Sequence, residues 1–249
     1  MGARTFVVGD IHGDIAALHA LLEKLPVPDP GDSLVFLGDY VDRGPASAEV
    51  IAFVRGLQRK ADFAVVCLRG NHEDGWLRVI DEGWDGFVAP PQNGCLAALR
   101  SYTGHPDPTA RELPSEEELE LLLTGAFFPP DVVEWMRALP FFHEDEHAIY
   151  VHAGLVEEGD TFVHPRDADP AIAMLWTRSE SFFRDYRGKR VIVGHTMTDT
   201  LPPELSSHTP ADPNDLWAGP SVIAIDTGAG KGGFLTALEL PALRVWESR

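Results

Sequence analysis

The stretch GDYVDRG at residues 38–44 follows directly on the apolar run SLVFL at residues 33–37. The apolar run predicts a buried strand, so two carboxylates, one guanidinium and two glycines fall where that strand ends. Charge of this density at the end of a core element needs a reason. The other predicted strands of the chain supply one.

The same kind of polar stretch follows four more predicted strands. Each contains a glycine beside an Asp, Asn or His, and the stretches are GDIHG at 9–13, RGNHE at 69–73, HAG at 152–154 and GH at 194–195. Ligands of open α/β sheets bind beyond the carboxyl ends of strands, and glycines there allow sharp turns and close approach. We therefore expect the five strand ends to place their polar side chains around one point.

The residue types at these ends are those of a metal site. Asp10 and His12 lie two apart in an extended segment, which directs both to one side. The six candidate ligands are Asp10, His12, Asp39, Asn71, His152 and His195. A mixed carboxylate, amide and imidazole set suits Mn, Fe or Zn better than Ca or Cu(I). Six ligands suit two ions that share a bridging carboxylate, the arrangement of hydrolytic two-metal sites.

The remaining polar residues of the motifs fit phosphate chemistry. Arg43 and Arg69 can contact phosphate oxygens through the guanidinium fork. His72 is not needed as a ligand and can protonate a leaving oxygen as a general acid. Asp42 can hold that imidazole charged and oriented.

Any one of these motifs alone has a plainer explanation. A lone Asp-x-His after a strand is usually a cap or a turn. A single histidine is more often structural than a ligand, and this interpretation is kept for His19, His105, His143, His147, His164 and His208. The metal hypothesis rests on five strand ends in order.

In this order, the motifs resemble those of the phosphoprotein phosphatases, bacterial type, within the calcineurin-like metallophosphoesterase superfamily. The match spans residues 6–195. The resemblance implies a four-layer α/β/β/α sandwich with two sheets and the metals at their edge. It implies two divalent ions, Mn²⁺ first with Fe or Zn as alternatives, and Asp39 as the bridging ligand. Asp10 and His12 would then bind one ion, and the other would bind Asn71, His152 and His195.

A further arginine of the family lies between the HAG and GH motifs. Arg178 is the candidate phosphate ligand here, with Arg166, Arg184 and Arg187 as alternatives. The pair Asn93-Gly94 resembles a segment of bacterial members and equally suits a turn.

The chain between and after the motifs predicts a single domain over residues 1–249. Helices are predicted at 15–25 and 47–57, a mostly helical insertion near the site at 76–146, a long surface loop at 201–220 and a closing strand at 234–240. The Gly-rich run 228–233 is not a Walker A loop, because Gly232 stands at the Ser/Thr position and a strand follows. We expect a hairpin there.

The composition limits the kinds of partner that the protein is expected to bind. The net charge of −19 argues against sequence-independent binding of nucleic acid, which needs a basic surface. The sequence has no run of apolar residues long enough for a membrane span and no signal peptide at its start. Two cysteines, Cys67 and Cys95, are too few for a disulfide framework and predict a reduced, cytoplasmic protein.

The residues and the resemblance together predict a phosphoesterase that works through a metal-bridging hydroxide. The first hypothesis is hydrolysis of phosphoserine and phosphothreonine in proteins, because Asp42 is present. The alternative is a symmetrical diadenosine tetraphosphate hydrolase or a broad small-molecule phosphomonoesterase. Bacterial diadenosine tetraphosphatases resemble the same family but often lack an Asp at that place, so this hypothesis ranks second. An inactive, metal-bound binding module would be expected to have lost ligands or His72. The oligomeric state is left open.

Overall fold

A computed structural model describes residues 2–109, 112–159, 161–208 and 212–249. Its strands are β1 (Thr5–Val8), β2 (Ser33–Phe36), β3 (Ala64–Cys67), β4 (Phe142–Glu144), β5 (Ile149–Val151), β6 (Glu157–Glu158), β7 (Thr161–Phe162), β8 (Val191–Val193), β9 (Trp217–Ala218), β10 (Val222–Ala224), β11 (Thr236–Leu240) and β12 (Arg244–Glu247). Its α-helices are α1 (Ile15–Lys24), α2 (Ser47–Lys60), α3 (Asn71–Glu82), α4 (Asp85–Val88), α5 (Cys95–Thr103), α6 (Glu116–Thr124), α7 (Pro130–Ala138), α8 (Ala173–Trp176) and α9 (Glu180–Asp185). Short 3₁₀ turns lie at Pro91–Asn93, Pro165–Asp167, Thr198–Thr200 and Pro203–Leu205.

The strands form two mixed sheets of five strands each and one short hairpin. The first sheet has the order β12-β11-β1-β2-β3, and the second has the order β4-β5-β8-β10-β9. β1, β2 and β3 run parallel, as do β5, β8 and β10, whereas the edge strands β4, β9 and β12 and the inner strand β11 pair antiparallel with their neighbours. The parallel strands of each sheet therefore share an edge at which their carboxyl ends meet.

Alternating side chains of the central strands fill two different cores. In β1, Val7 packs into the layer between the two sheets, while Phe6 and Val8 pack against helices. In β8, Ile192 joins the same inner layer, and its neighbours pack outward on the other side. Because successive strand residues point to opposite faces, a strand buried on both faces is apolar throughout. This is why the predicted strands are continuous apolar runs.

Helices cover the outer face of each sheet. The outer face of the first sheet packs against α1, α2, α3, α5 and α7, and that of the second sheet packs against α8 and α9. The layers are thus helix, sheet, sheet and helix. The four-layer α/β/β/α sandwich of the calcineurin-like fold, predicted from the motifs, is confirmed.

Several expectations outside the motifs were wrong in detail. A further strand, β12, follows the predicted closing strand and pairs antiparallel with β11. The predicted surface loop 201–220 contains β9, whose Trp217 is fully buried; its residues 209–211 lie outside the described ranges. The Gly-rich run 228–233 is not a hairpin, because it leads from β10 in the second sheet to β11 in the first.

The region 76–146 is mostly helical, but its ends differ from the predicted ones. Its first helix, α3, already begins at Asn71 within the polar motif, and β4 lies inside its last residues as an edge strand of the second sheet. Among the described helices, none combines the length and the apolar character needed to cross a membrane. Cys67 and Cys95 are both buried and unpaired with each other.

The inner layer offers a test of the fold. Leu238 is 1% exposed between the sheets. We expect Leu238→Ala to lower the free energy of unfolding by about 3 kcal/mol, because the truncation leaves a cavity between two rigid sheets. The matched control, Leu113→Ala, alters a side chain that is 79% exposed and should change stability by less than about 0.5 kcal/mol. Equal effects in urea denaturation would contradict this assignment of the core.

Candidate metal centre

Loops from both sheets meet at one place. Asp10 and His12 follow β1, Asp39 follows β2, and Asn71 opens the helix that follows β3. The other sheet supplies residues after β5 and β8. Contacts between the sheets join the loops: His195 N donates to the Asp10 carboxylate at 3.0 Å. The five predicted strand ends therefore converge, and all six candidate ligands are buried.

One half of the centre lies around the Oδ2 atom of Asp39. His12 Nε2 lies 3.3 Å from this oxygen, and His72 Nε2 lies 3.9 Å from it. The carboxylate of Asp10 lies 3.9 Å from His12 Nε2. Ligand atoms of His12, Asp39 and His72 all fall within 4.8 Å of one another, a spacing that suits a single ion. His72, predicted as a general acid, is thus also close enough to be considered a ligand.

The other half lies around the Oδ1 atom of Asp39. His152 Nε2 lies 3.4 Å from this oxygen and 2.9 Å from Asn71 Oδ1. His195 Nδ1 lies 2.7 Å from the same Asn71 oxygen. Atoms of Asp39, His152 and His195 again fall within 4.8 Å of one another. The two oxygens of Asp39 thus face two separate groups, the geometry expected of a bridging carboxylate.

Hydrogen bonds to backbone carbonyls fix which ring nitrogens carry protons. His12 Nδ1 lies 3.0 Å from the Val41 carbonyl oxygen, and His152 Nδ1 lies 2.9 Å from that of Leu37. A carbonyl only accepts, so each Nδ1 donates and each Nε2 of the neutral ring presents a lone pair. These lone pairs face the Asp39 carboxylate, which also only accepts. The arrangement is repulsive unless a cation lies between the donor atoms.

Two further atoms support this conclusion. Within the part of the chain that the structure describes, the buried His195 Nε2 has no hydrogen-bond partner. The Asn71 amide oxygen, itself an acceptor, faces ring nitrogens of both His152 and His195. Imidazole, carboxylate and amide oxygen together form a donor set for Mn, Fe or Zn. The residues present therefore fit a pair of divalent ions.

Burial sets the protonation states of the centre. It lowers the pKa of His12 and of His195 well below the ordinary value, and it lowers the pKa of His152. Burial alone raises the pKa of Asp39, but the surrounding groups that favour its charged form, among them the Arg43 guanidinium, together outweigh burial and bring its pKa well below the usual range. Neutral imidazoles and an ionised carboxylate are the forms that bind divalent metals.

The backbone of the centre adopts a conformation that is unusual for these residue types. Six non-glycine residues in the described ranges have a positive φ, and five of them are His12 (47°), Asp39 (53°), Asp42 (71°), Arg43 (69°) and His195 (62°). Each such residue costs about 1–3 kcal/mol, so the surrounding structure must hold it in place. Strain concentrated in this way is typical of functional sites.

Glu73 holds the loop after β2. Its buried carboxylate accepts four backbone hydrogen bonds, from Asp39 (2.9 Å), Tyr40 (2.9 Å), Gly70 (3.0 Å) and Val41 (3.4 Å). A Cβ atom at Gly70 would lie 2.2 Å from the Asp39 nitrogen, so the close approach of the two loops requires glycine. Burial, with the charge of Asp39, raises the pKa of Glu73 to about 8. The sequence analysis did not assign Glu73 a role.

His72 is fixed by a buried acidic partner. Its Nδ1 lies 2.6 Å from Asp42 Oδ2, and Trp76 Nε1 donates to both Asp42 oxygens at 3.0 Å. The Phe87 ring packs edge-on against the imidazole at 5.4 Å. The predicted pair of His72 and Asp42 is therefore brought together, with Trp76 as a member that the sequence analysis missed. Its role as an acid remains a prediction.

Arg43 lies beside the first half of the centre. Its guanidinium contacts His12 Nε2, and its backbone N–H donates to the Gly94 carbonyl at 3.2 Å. Gly94 has φ of +72°, and a Cβ atom there would lie 2.4 Å from the Arg43 nitrogen. The turn at Asn93-Gly94 thus supports the Arg43 loop.

The other two predicted arginines lie near the centre in different ways. Arg69 donates to the Arg137 carbonyl at 2.6 Å and stacks over Phe141, with its ring centroid at 4.7 Å. Arg178 is exposed and contacts Thr196 Oγ1, beside His195, at 3.5 Å. Its three rivals contact groups elsewhere: Arg166 pairs with Glu144, Arg184 with Glu180, and Arg187 with nearby carbonyls. Arg178 remains the candidate.

A sixth strand end also reaches the centre. Asp226, separated from β10 by Ile225, is fully buried and forms an ion pair with Lys231 at 3.3 Å. Burial raises the pKa of Asp10 well above its ordinary value, and the carboxylates of Asp226 and Asp39 add to this effect. The run Asp226-Thr227-Gly228 has the same form as the other five motifs. That signal was present in the sequence and was not used.

Comparisons with known proteins agree with this geometry. The family model described as calcineurin-like phosphoesterase matches residues 3–199. A protein of Aromatoleum aromaticum named bis(5'-nucleosyl)-tetraphosphatase, symmetrical, is 26% identical over 97% of this chain and 95% of its own length. A protein of the same name from Coxiella burnetii is 30% identical, over 61% of this chain and 42% of its own. These two alignments differ widely in how much of each relative they cover.

A solved structure also shares the fold. A crystal structure described as a candidate diadenosine tetraphosphatase superposes with a TM-score of 0.61 over 99% of this chain and 93% of that one. Its sequence identity is 20%, so this likeness concerns the fold alone.

The bridging position of Asp39 generates a prediction about metal content. We expect Asp39→Asn to reduce the bound metal from about two ions per chain to less than about 0.5, because one side chain serves both halves. The measurement is elemental analysis after gel filtration. The control, Asp62→Asn, alters an exposed carboxylate and should leave the metal content unchanged. An unaltered metal content in Asp39→Asn would exclude the bridging role.

Proposed function

This chain belongs to the calcineurin-like phosphoesterase family, and we propose that it hydrolyses dinucleoside tetraphosphates symmetrically. The main observation in favour of a metal-dependent hydrolase is that histidine lone pairs face each of the two oxygens of Asp39, as expected for two metal ions bridged by one carboxylate. The tetraphosphate as substrate is supported by relatives of that named activity, one of which aligns over 97% of this chain. This choice reverses the order of the two hypotheses drawn from the sequence.

The position of Asp42 weakens the argument for a protein phosphatase. The sequence analysis took its presence as favouring phosphoserine and phosphothreonine substrates. In the structure Asp42 is fully buried, and its oxygens are engaged by His72 and Trp76. A residue in that position acts on the proton chemistry of His72 and has no surface for distinguishing one phosphorylated substrate from another.

The chain's own residues fit the roles of a phosphate-ester hydrolase. Two divalent ions, when bound, supply an activated water and neutralise charge on the phosphoryl group. His72 donates the proton that the leaving oxygen needs, and Asp42 keeps its imidazole oriented and charged. Arg43 contacts phosphate oxygens on the His12 side, while Arg69 and Arg178 supply positive charge elsewhere around the centre.

Replacing His72 separates acid catalysis from metal binding. We expect His72→Asn to retain both metals and lower kcat by about 100-fold or more, because proton donation to the leaving group is lost. The measurements are steady-state kinetics and metal content on the same preparation. The control is His105→Asn, at an exposed histidine, which should match the unaltered protein. Loss of one ion together with activity would make His72 a ligand instead, as its distance of 3.9 Å from Asp39 permits.

Substrate preference is tested by direct competition between the two hypotheses. Diadenosine tetraphosphate and a phosphothreonine peptide are assayed side by side with Mn²⁺ and after chelation. We expect chelator-sensitive turnover with kcat/KM for the dinucleotide at least about tenfold above that for the peptide, because the polyphosphate offers more anionic groups to the arginines. The product of symmetrical cleavage is adenosine diphosphate alone, identified by chromatography. A preference for the peptide would restore the protein phosphatase hypothesis.

A further inference from the structure

The Gly-rich loop 228–233 is packed against the metal centre. Gly233 N donates to the Gly228 carbonyl at 2.9 Å, which closes the loop into a tight turn. A Cβ atom at Gly230 would lie 2.4 Å from the carbonyl oxygen of His12. The loop therefore rests directly on the backbone of a candidate ligand. It carries one cationic side chain, Lys231, which neither the motifs nor the proposed chemistry has used.

Lys231 lies at the rim of the centre. Its side chain is 20% exposed, whereas its partner Asp226 is fully buried, and the two are 3.3 Å apart. The positive charge of Lys231 acts to lower the pKa of both Asp10 and His12. The positive charge of Arg43 acts to lower the pKa of His12 as well. Arg43 contacts His12 directly, and Lys231 belongs to the loop that packs on the His12 backbone, so both cations lie near this residue.

The ion pair with Asp226 leaves Lys231 with donors to spare. A lysine ammonium has three N–H donors, and only one is needed for the 3.3 Å contact. That contact is longer than the 2.7–2.9 Å of a strong charge-assisted hydrogen bond. Asp226 is also satisfied on its other oxygen, which accepts from Gly228 N at 3.1 Å. An anion at the rim can therefore bind Lys231 without stripping Asp226 of its partners.

We propose that Lys231 binds a non-reacting phosphate of a polyphosphate substrate, an inference that rests on the proposed function. A chain of net charge −19 repels a polyanion at long range, so each phosphate beyond the reacting one needs a local cation. Arg43, which contacts the candidate ligand His12, takes the reacting phosphoryl group. Lys231, on the Gly-rich loop beside Asp226, takes the next phosphate. A monophosphate has no group at that position.

The test compares anions that differ in phosphate number. Inorganic tripolyphosphate and orthophosphate are measured as competitive inhibitors of p-nitrophenyl phosphate hydrolysis, at one fixed Mn²⁺ concentration. We expect Lys231→Gln to raise the inhibition constant of tripolyphosphate about tenfold and that of orthophosphate less than about twofold, because only the longer anion reaches the lysine. Chelation of Mn²⁺ by tripolyphosphate affects all variants equally and cancels in the comparison.

Two variants serve as controls for charge. Lys231→Arg keeps the cation and should keep most of the tripolyphosphate affinity. Lys60→Gln makes the same change in charge at an exposed position at the end of α2 and should leave both inhibition constants unaltered. Equal shifts for the two anions in Lys231→Gln would overturn the proposal.

A double variant separates phosphate binding from neutralisation of Asp226. If Lys231 serves only to compensate the buried carboxylate, then Asp226→Asn in the Lys231→Gln background restores the tripolyphosphate constant, and the proposal fails. If Lys231 binds phosphate, the constant stays raised. The inhibition constants of these inorganic anions can be measured whether or not the protein hydrolyses the dinucleotide. A selective shift without hydrolysis of diadenosine tetraphosphate would therefore refute the proposed function and leave the role of Lys231 intact.

Discussion

The convergence of lone pairs on one buried carboxylate is the constraint on which the rest of the structure depends. The carbonyls of Val41 and Leu37 take the Nδ1 protons of His12 and His152, and so turn both Nε2 lone pairs toward Asp39. Burial disfavours the protonated rings that would relieve the repulsion. The loops therefore form a preorganised binding site for cations, and the Arg43 guanidinium already contacts one of these lone pairs, that of His12.

Holding such a site requires support from the layers beneath it. The strands that lead into it are fully buried at Val8 and Phe36, so their ends are anchored in close-packed cores. Glu73 then ties the backbone of the loop at Asp39 to the first turn of α3, and the backbone N–H of His72 donates to Asp39 Oδ1 at 2.9 Å. The N-terminus of that helix favours a carboxylate. The buried strands and the first turn of α3 together hold the residues with positive φ in place and offset their strain.

The buried strands and the polar residues at their ends could be predicted from the sequence, because both lie in short windows, whereas the four-layer sandwich was predicted from the resemblance of the motifs. The structure brings the six candidate ligands together, and their binding of metal stays a prediction. An apolar run followed by glycine and a polar residue identifies a strand and its functional end in one short window. The partners of Asp42 and the crossing of the Gly-rich run between sheets are not local in this sense. The run 228–233 has the glycines of a hairpin, and only the sheet order shows that its flanking strands, β10 and β11, belong to different sheets. The burial of Trp217 was missed for a different reason, because a two-residue strand shows almost no periodicity.

The buried residues of the centre and the more accessible cations around it have different roles in the proposed selection of a substrate. The candidate metal ligands and the pair of His72 and Asp42 are buried and mutually constrained, so in the proposed function we expect them to act on any phosphoryl group that reaches them. Discrimination between substrates must then come from more accessible groups that contact the rest of the substrate, and in a strongly acidic chain we expect those groups to be cations. Arg178 beside His195 and Lys231 beside Asp226 occupy such positions on separate loops. Because loops tolerate change better than strand ends do, the same centre can serve substrates of different phosphate number.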